Sequence, residues 1–161
     1  MNPIETVIDQ TLIFRKRIAD IFSSVSEADA DVIPPGWSNN ARWHAGHLVV
    51  VPRMLMLALQ GKPIGLPDTY KTLFAKDTSP ANWAGLAVPP YKQLVGELTS
   101  EMEKLIGEIK PDLLTPFPKP YTTSATVVLH SPAEALNFSL VHDGIHVGLM
   151  FALKRSLAAM K

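Results

Sequence analysis

Histidine is the residue type in this chain whose placement is most suggestive of chemistry. There are five: His44, His47, His130, His142 and His146. Four fall into two pairs, His44-x-x-His47 and His142-x-x-x-His146. Spacings of three and four put both members of a pair on one helical face, about 5–6 Å apart at Cβ. Facing helices in a bundle lie about 8–10 Å apart, so imidazoles from two such helices can meet at one point. Neutral imidazole is a ligand for zinc, nickel, copper and iron. The same pairs also suit a plainer role, in which each ring packs in the core and bonds a backbone carbonyl, and spacing does not choose between the two. The absence of cysteine excludes disulfides, thiolate metal sites and cysteine nucleophiles. A di-iron carboxylate site is disfavoured, because it needs paired Glu-x-x-His motifs. The residues three before His47, His142 and His146 are His44, Ser139 and Asp143.

The elements that must carry these rings read as helices. Ile4, Val7, Ile8, Phe14, Ile18, Ile21 and Phe22 form one apolar stripe, ending near Ser23. Ile33-Pro34-Pro35-Gly36-Trp37 is a loop. A second helix is expected from Ser38 or Asn39, both good N-caps, to about Gln60, with Gly61 and Pro63 as its stop. Pro52 lies inside it, removes the hydrogen bond to the Leu48 carbonyl and is expected to kink it. Residues 61–90 form a long Gly- and Pro-containing crossover with a short helical turn around Tyr70 to Lys76. A third helix runs from Pro90 to Ile109. A second long connection, Leu114 to Ser131, holds three prolines and a β-branched run, Tyr121 to Leu129, suited to extended structure. The last helix has the clearest start. Ser131-Pro132-Ala133-Glu134 joins an N-cap serine, a proline at the first helical position and a glutamate at the third. Its apolar character continues to about Met160. The expected fold is all-α, a four-helix bundle with two long crossover connections, in a single domain over residues 1–161.

Gly46, Gly144 and Gly148 lie inside the histidine-bearing helices. Each interior glycine costs about 1 kcal/mol against alanine, a cost tolerated where another helix, a subunit or a ligand must approach the backbone. Trp37, Trp43 and Trp83 are expected as core or interface anchors. Tyr70, Tyr91 and Tyr121 sit in or beside the long connections, where a pocket can form, and Arg53 and Lys71 are candidate anion contacts. His130 is expected to be structural or exposed, and Asp143 either to orient an imidazole or to face solvent.

The 161 residues are about one domain's worth. A hydrophobic content of 47% excludes a disordered chain, and a net charge of zero argues against nucleic acid as a partner. The stretch Leu48–Leu59, broken by Pro52 and Arg53, falls short of the ~20 apolar residues of a membrane span. The first residues lack a basic segment followed by an apolar one, so no signal peptide and no membrane partner are expected, and the expected location is cytoplasmic.

Trp43-His44-Ala45-Gly46-His47-Leu48 together with His142-Asp143-Gly144-Ile145-His146-Val147-Gly148 resembles the DinB-like superfamily of metal-binding four-helix bundles. The resemblance extends to the Gly61-Lys62-Pro63 stop, the crossover aromatics Tyr70 and Phe74 and the basic end of the last helix, and covers nearly the whole chain. It implies that His47, His142 and His146 hold one divalent metal, zinc or nickel. His44 stays open between an outer hydrogen-bonding group, a fourth ligand and a surface residue, with outer support or packing preferred. It further implies kinship with bacillithiol- and mycothiol-dependent S-transferases. The expected activity is then metal-dependent transfer of a small-molecule thiol to an electrophilic substrate, with metal-dependent hydrolysis or a non-catalytic metal-binding role as alternatives. A homodimer is expected on the same ground.

Overall fold

The structure is a computed structural model describing residues 2–161. Five helices carry it: α1 (Pro3–Ser23), α2 (Ala41–Met56), α3 (Asp68–Phe74), α4 (Tyr91–Ile109) and α5 (Pro132–Ala158). Four long helices form the bundle, and α3 is the short helix inside the first crossover. The second crossover holds a two-stranded antiparallel hairpin, β1 (Tyr121–Thr122) and β2 (Val128–Leu129), with Tyr121 opposite Leu129.

The helix ends follow local chemistry. Asn2 caps α1 by accepting from the Ile4 N–H at 3.0 Å, ahead of proline at the first position. The cap of α2 is Asn40, whose side chain accepts from the Trp43 N–H at 2.9 Å, one or two residues later than the expected Ser38 or Asn39. Its α-helical part also ends earlier, at Met56, and a 3₁₀ turn (Ala58–Gln60) carries the chain to Gly61, which adopts φ 75°. That is the left-handed stop that glycine takes without strain. Ser131 caps α5, and the Glu134 carboxylate reaches back to accept from the His130 N–H at 2.8 Å.

Two core clusters give the helix directions. Ile8 of α1, Leu55 and Met56 of α2, Leu105 and Ile109 of α4, and Ala135 and Leu136 of α5 meet at one end. Ile18 and Phe22, Ala45 and Leu48, Leu94 and Leu98, and Met150 and Leu153 meet at the other. Helices α1 and α5 therefore run one way and α2 and α4 the other, an up-down-down-up bundle. Each of α1 and α2 packs against both α4 and α5, which places α1 and α2 on one diagonal and α4 and α5 on the other.

The centre of the bundle is polar. Arg15, on the inner face of α1, is 1% exposed and pairs with Asp143 of α5 at 2.7 Å. Its other terminal nitrogen donates to the Leu48 carbonyl, also at 2.7 Å. That carbonyl is the one deprived of its helical partner by Pro52. A proline defect in α2 and an arginine in α1 are thus two halves of one arrangement. Asp143 neither faces solvent nor bonds an imidazole, contrary to both expectations for it. Burial pushes its carboxyl pKa up, and the Arg15 guanidinium opposes that rise.

Arg53 is likewise buried rather than free for an anion, and it bonds the Ile64 carbonyl, Glu101 and Glu108. Tyr70 donates to Glu97 at 2.9 Å, and Tyr91 to the Phe22 carbonyl at 2.8 Å. The long apolar helix of the chain is α5, not the 48–59 segment. Its 27 residues are long and apolar enough to span a bilayer by length and composition, although a third of that stretch is buried against other helices.

Candidate metal centre

The two histidine pairs converge. Their helices are neighbours, and His44 and His47 on the first half of α2 face His142 and His146 in the middle of α5. Ring centroids are 4.9 Å apart for His47 and His146, 5.2 Å for His47 and His142, and 4.6 Å for His142 and His146. One ring nitrogen from each of these three residues lies within 4.8 Å of the others. His47 and His146 are buried and His142 is half-buried.

Each ring has a distinct support. The His47 Nδ1–H donates to the Phe74 carbonyl of α3 at 2.7 Å, which leaves the lone pair on Nε2. Trp43 stacks on the same ring with centroids 4.4 Å apart, and its own indole N–H donates to Thr78 at 2.8 Å. Gly46 makes this packing possible, since a methyl group there would overlap the Phe74 ring. The close approach expected at that glycine is therefore made by α3. At Gly144 and Gly148 nothing lies near the position a methyl would take.

His44 stands behind His146, with the two Nδ1 atoms 3.0 Å apart. Two imidazole nitrogens at that distance share one proton. When His146 supplies it, the His146 Nε2 keeps its lone pair and His44 acts as acceptor. His44 is 4% exposed and so belongs to the supporting layer, where ligand histidines usually find the group that fixes their tautomer. Among the described residues, the Nε2 of His44 and the Nδ1 of His142 are buried and have no hydrogen-bond partner. His130 lies apart from the cluster, exposed and bonded to Glu134.

The cluster is neutral at ordinary pH. Burial lowers the pKa of His44 and of His47 to about 4. Burial, then the nearby His47 and Arg15 charges, lowers His142 to about 3. His146 is lowered further by burial and by the other three imidazoles. Neutral rings, two buried ring nitrogens without a hydrogen-bond partner and three donor atoms close to one another fit a divalent cation. His47, His142 and His146 can together hold a metal ion.

His47 and His142 also line a cavity of about 150 Å³. Val51, Met54, Leu55 and Phe138 make its apolar wall, and Lys76, Tyr121, Thr123 and Ser124 make its polar side. The hairpin segment and Lys76, just after α3, are thus the parts outside α2 and α5 that build the cavity beside the rings. Sequence reasoning placed Tyr121 in such a region but gave no role to Lys76, at the end of the expected helical turn, or to Thr123 and Ser124, whose only signal was the β-branched run. Lys71 is exposed and does not line the cavity.

Comparison with curated proteins finds no significant match. The family model of the DinB superfamily, however, matches residues 10–150, a span that holds the histidine cluster and most of every bundle helix, and the chain belongs to that superfamily.

Proposed function

We propose that the chain is a metal-dependent transferase that joins a low-molecular-weight thiol to a small electrophile, with a zinc or nickel ion held by His47, His142 and His146. The observation that carries this reading is the cavity. It opens onto two of the three imidazoles while His146 is backed by His44. Three protein ligands with room beside them is the arrangement of a reactive site, whereas a structural site closes with four. A divalent ion there supplies Lewis acidity at a position the protein leaves free, enough to hold a thiol in its deprotonated form.

The residues around the rings favour thiol transfer over hydrolysis. The cavity wall includes no carboxylate, and the nearest buried acid on α5, Asp143, is committed to Arg15. Activation of water for hydrolysis usually relies on such a base, whereas a coordinated thiol needs none. The apolar wall suits a carbon electrophile. A cavity of about 150 Å³ holds a molecule about the size of benzene. Lys76, which shares its charge with Asp77 at 2.7 Å, lines the polar side and offers a cation to an anionic thiol. In the transfer the thiol proton passes to solvent, sulfur bonds to carbon, and the leaving group departs with its electron pair. A cytoplasmic location fits this reading, because small thiols stay reduced there.

The test is conjugation of a small thiol to an aryl halide, followed by mass spectrometry of the product, with untagged protein before and after chelation. Conjugation that needs zinc or nickel and is lost in His142→Ala supports the proposal. A rate that chelation leaves unchanged overturns it.

A further inference from the structure

Helix α5 is apolar on more than its inner side. Leu136, Met150 and Leu153 are buried, while Val141, Ile145 and Phe151 are exposed. Between Glu134 and Lys154 its only charged residue is Asp143. Hydrophobic burial alone therefore chooses weakly among rotations of this helix about its axis, since several of them hide a similar apolar stripe. The rotation matters to the histidines. Neighbouring residues on a helix point about 100° apart and residues three apart about 60°, so the direction of Asp143 fixes those of His142 and His146.

One group holds Asp143. Its Oδ1 accepts from the Arg15 Nη2 at 2.7 Å, and both side chains are buried. The Nη1 of the same guanidinium donates to the Leu48 carbonyl, also at 2.7 Å. Asp143 directly follows His142, and Leu48 directly follows His47. A single side chain thus grips the residue next to a candidate ligand on each of the two ligand-bearing helices. Helices α1 and α2 stand on a diagonal of the bundle, so Arg15 crosses its centre to make the second bond. Pro52 leaves the Leu48 carbonyl without its helical donor, which fixes where on α2 the guanidinium docks.

Stability is a poor reason for this arrangement. Apolar side chains of similar volume often match or exceed a buried ion pair. Moreover, the Arg15 Nε and the Asp143 Oδ2 are buried without a hydrogen-bond partner among the described residues. What the pair supplies is direction, because hydrogen bonds demand a length and an angle that apolar contacts do not. From this we infer that Arg15 is a positioning residue for the metal centre, setting the rotation of α5 and the placement of α2 so that His47 meets His142 and His146. Its consequence for metal rests on the reading of these three as ligands, whereas its consequence for the rings does not.

The experiment uses Arg15→Met/Asp143→Leu, which replaces the pair with apolar groups and is expected to recover most of the wild-type stability in urea. In metal-free protein, nuclear Overhauser contacts between the ring protons of His47 and those of His142 and His146 are expected in the wild type and lost in the variant. Zinc affinity, by competition against a chromophoric chelator, is expected to fall about 10–100-fold. A pair that only stabilises the fold would bring both back along with stability. Should the double variant fail to fold, Arg15→Lys carries the same measurements. It keeps a charge beside Asp143 but not the two-pronged hold, and is expected to bind zinc about tenfold more weakly. Wild-type ring contacts or wild-type zinc affinity in a folded variant overturns the inference. A wild type that shows the contacts but takes up no zinc removes the metal reading alone, and loss of the contacts in the variant then still upholds the positioning role.

Discussion

At the scale of single residues, the account turns on which nitrogen of each imidazole is free. The Phe74 carbonyl fixes His47 with its proton on Nδ1. His146 depends on His44, which can accept at 3.0 Å. His44→Phe removes that acceptor, and metal affinity is expected to fall about 10–100-fold. His44→Gln keeps an acceptor and is expected to recover part of the loss. Competition against a chromophoric chelator measures both, and unchanged affinity in His44→Phe would contradict the support role. The choice of His47, His142 and His146 as ligands came from the family resemblance; the two histidine pairs themselves were legible in the sequence because their spacing is a side-chain pattern. The Phe74 carbonyl was not, since a backbone acceptor has no signature of its own. Arg15 and Asp143 were missed for another reason. Periodicity assigns charged residues to the outside, and only the missing hydrogen bond at Pro52 hinted that a buried donor was needed.

At the scale of elements, α1, α2 and α5 are joined at the level of the site by the Arg15 guanidinium, which holds both Asp143 and the Leu48 carbonyl. Removing one member of a buried pair leaves an uncompensated charge, at about 3–5 kcal/mol. Arg15→Met is therefore expected to lose stability of that order, and Arg15→Met/Asp143→Leu to recover much of it. Urea unfolding in the presence of a chelator measures the difference, and a loss below about 1 kcal/mol in the single variant would contradict the pairing. Helix starts and stops were read with fair accuracy where capping chemistry is local, as at Ser131, Gly61 and Ser23. The start of α2 was misplaced because Ser38, Asn39 and Asn40 are all competent caps, and tertiary packing of Trp43 selects the last. The hairpin was legible only as an extended run. Its turn is held by local hydrogen bonds around Thr123, but its place beside the cavity depends on elements far away in the chain and could not be read from residues 121–129 alone.

For the whole molecule, four neutral histidines, three buried and one half-buried, tie stability to pH. In the unfolded chain they take protons near pH 6.5, whereas in the folded chain His44 and His47 wait until about pH 4 and His142 until about pH 3. The unfolded state thus binds more protons throughout that window, so stability is complete above pH 6.5 and falls as pH drops below it. Each histidine contributes about 1.4 kcal/mol per pH unit within its window. The Tm of metal-free protein is expected to fall steeply from pH 6.5 to 4, and a flat profile by scanning calorimetry would contradict the burial of the cluster. Fold class followed from helical periodicity, but the bare outer face of α5 did not, because a helix apolar all round does not reveal which side has a partner. The convergence of three imidazoles on one ion is tested most directly by titrating zinc into untagged, metal-free protein and counting ions per chain. One ion per chain is expected, lost in His47→Ala, His142→Ala and His146→Ala and retained in His130→Ala. No bound ion, or a stoichiometry that His142→Ala leaves intact, would contradict it.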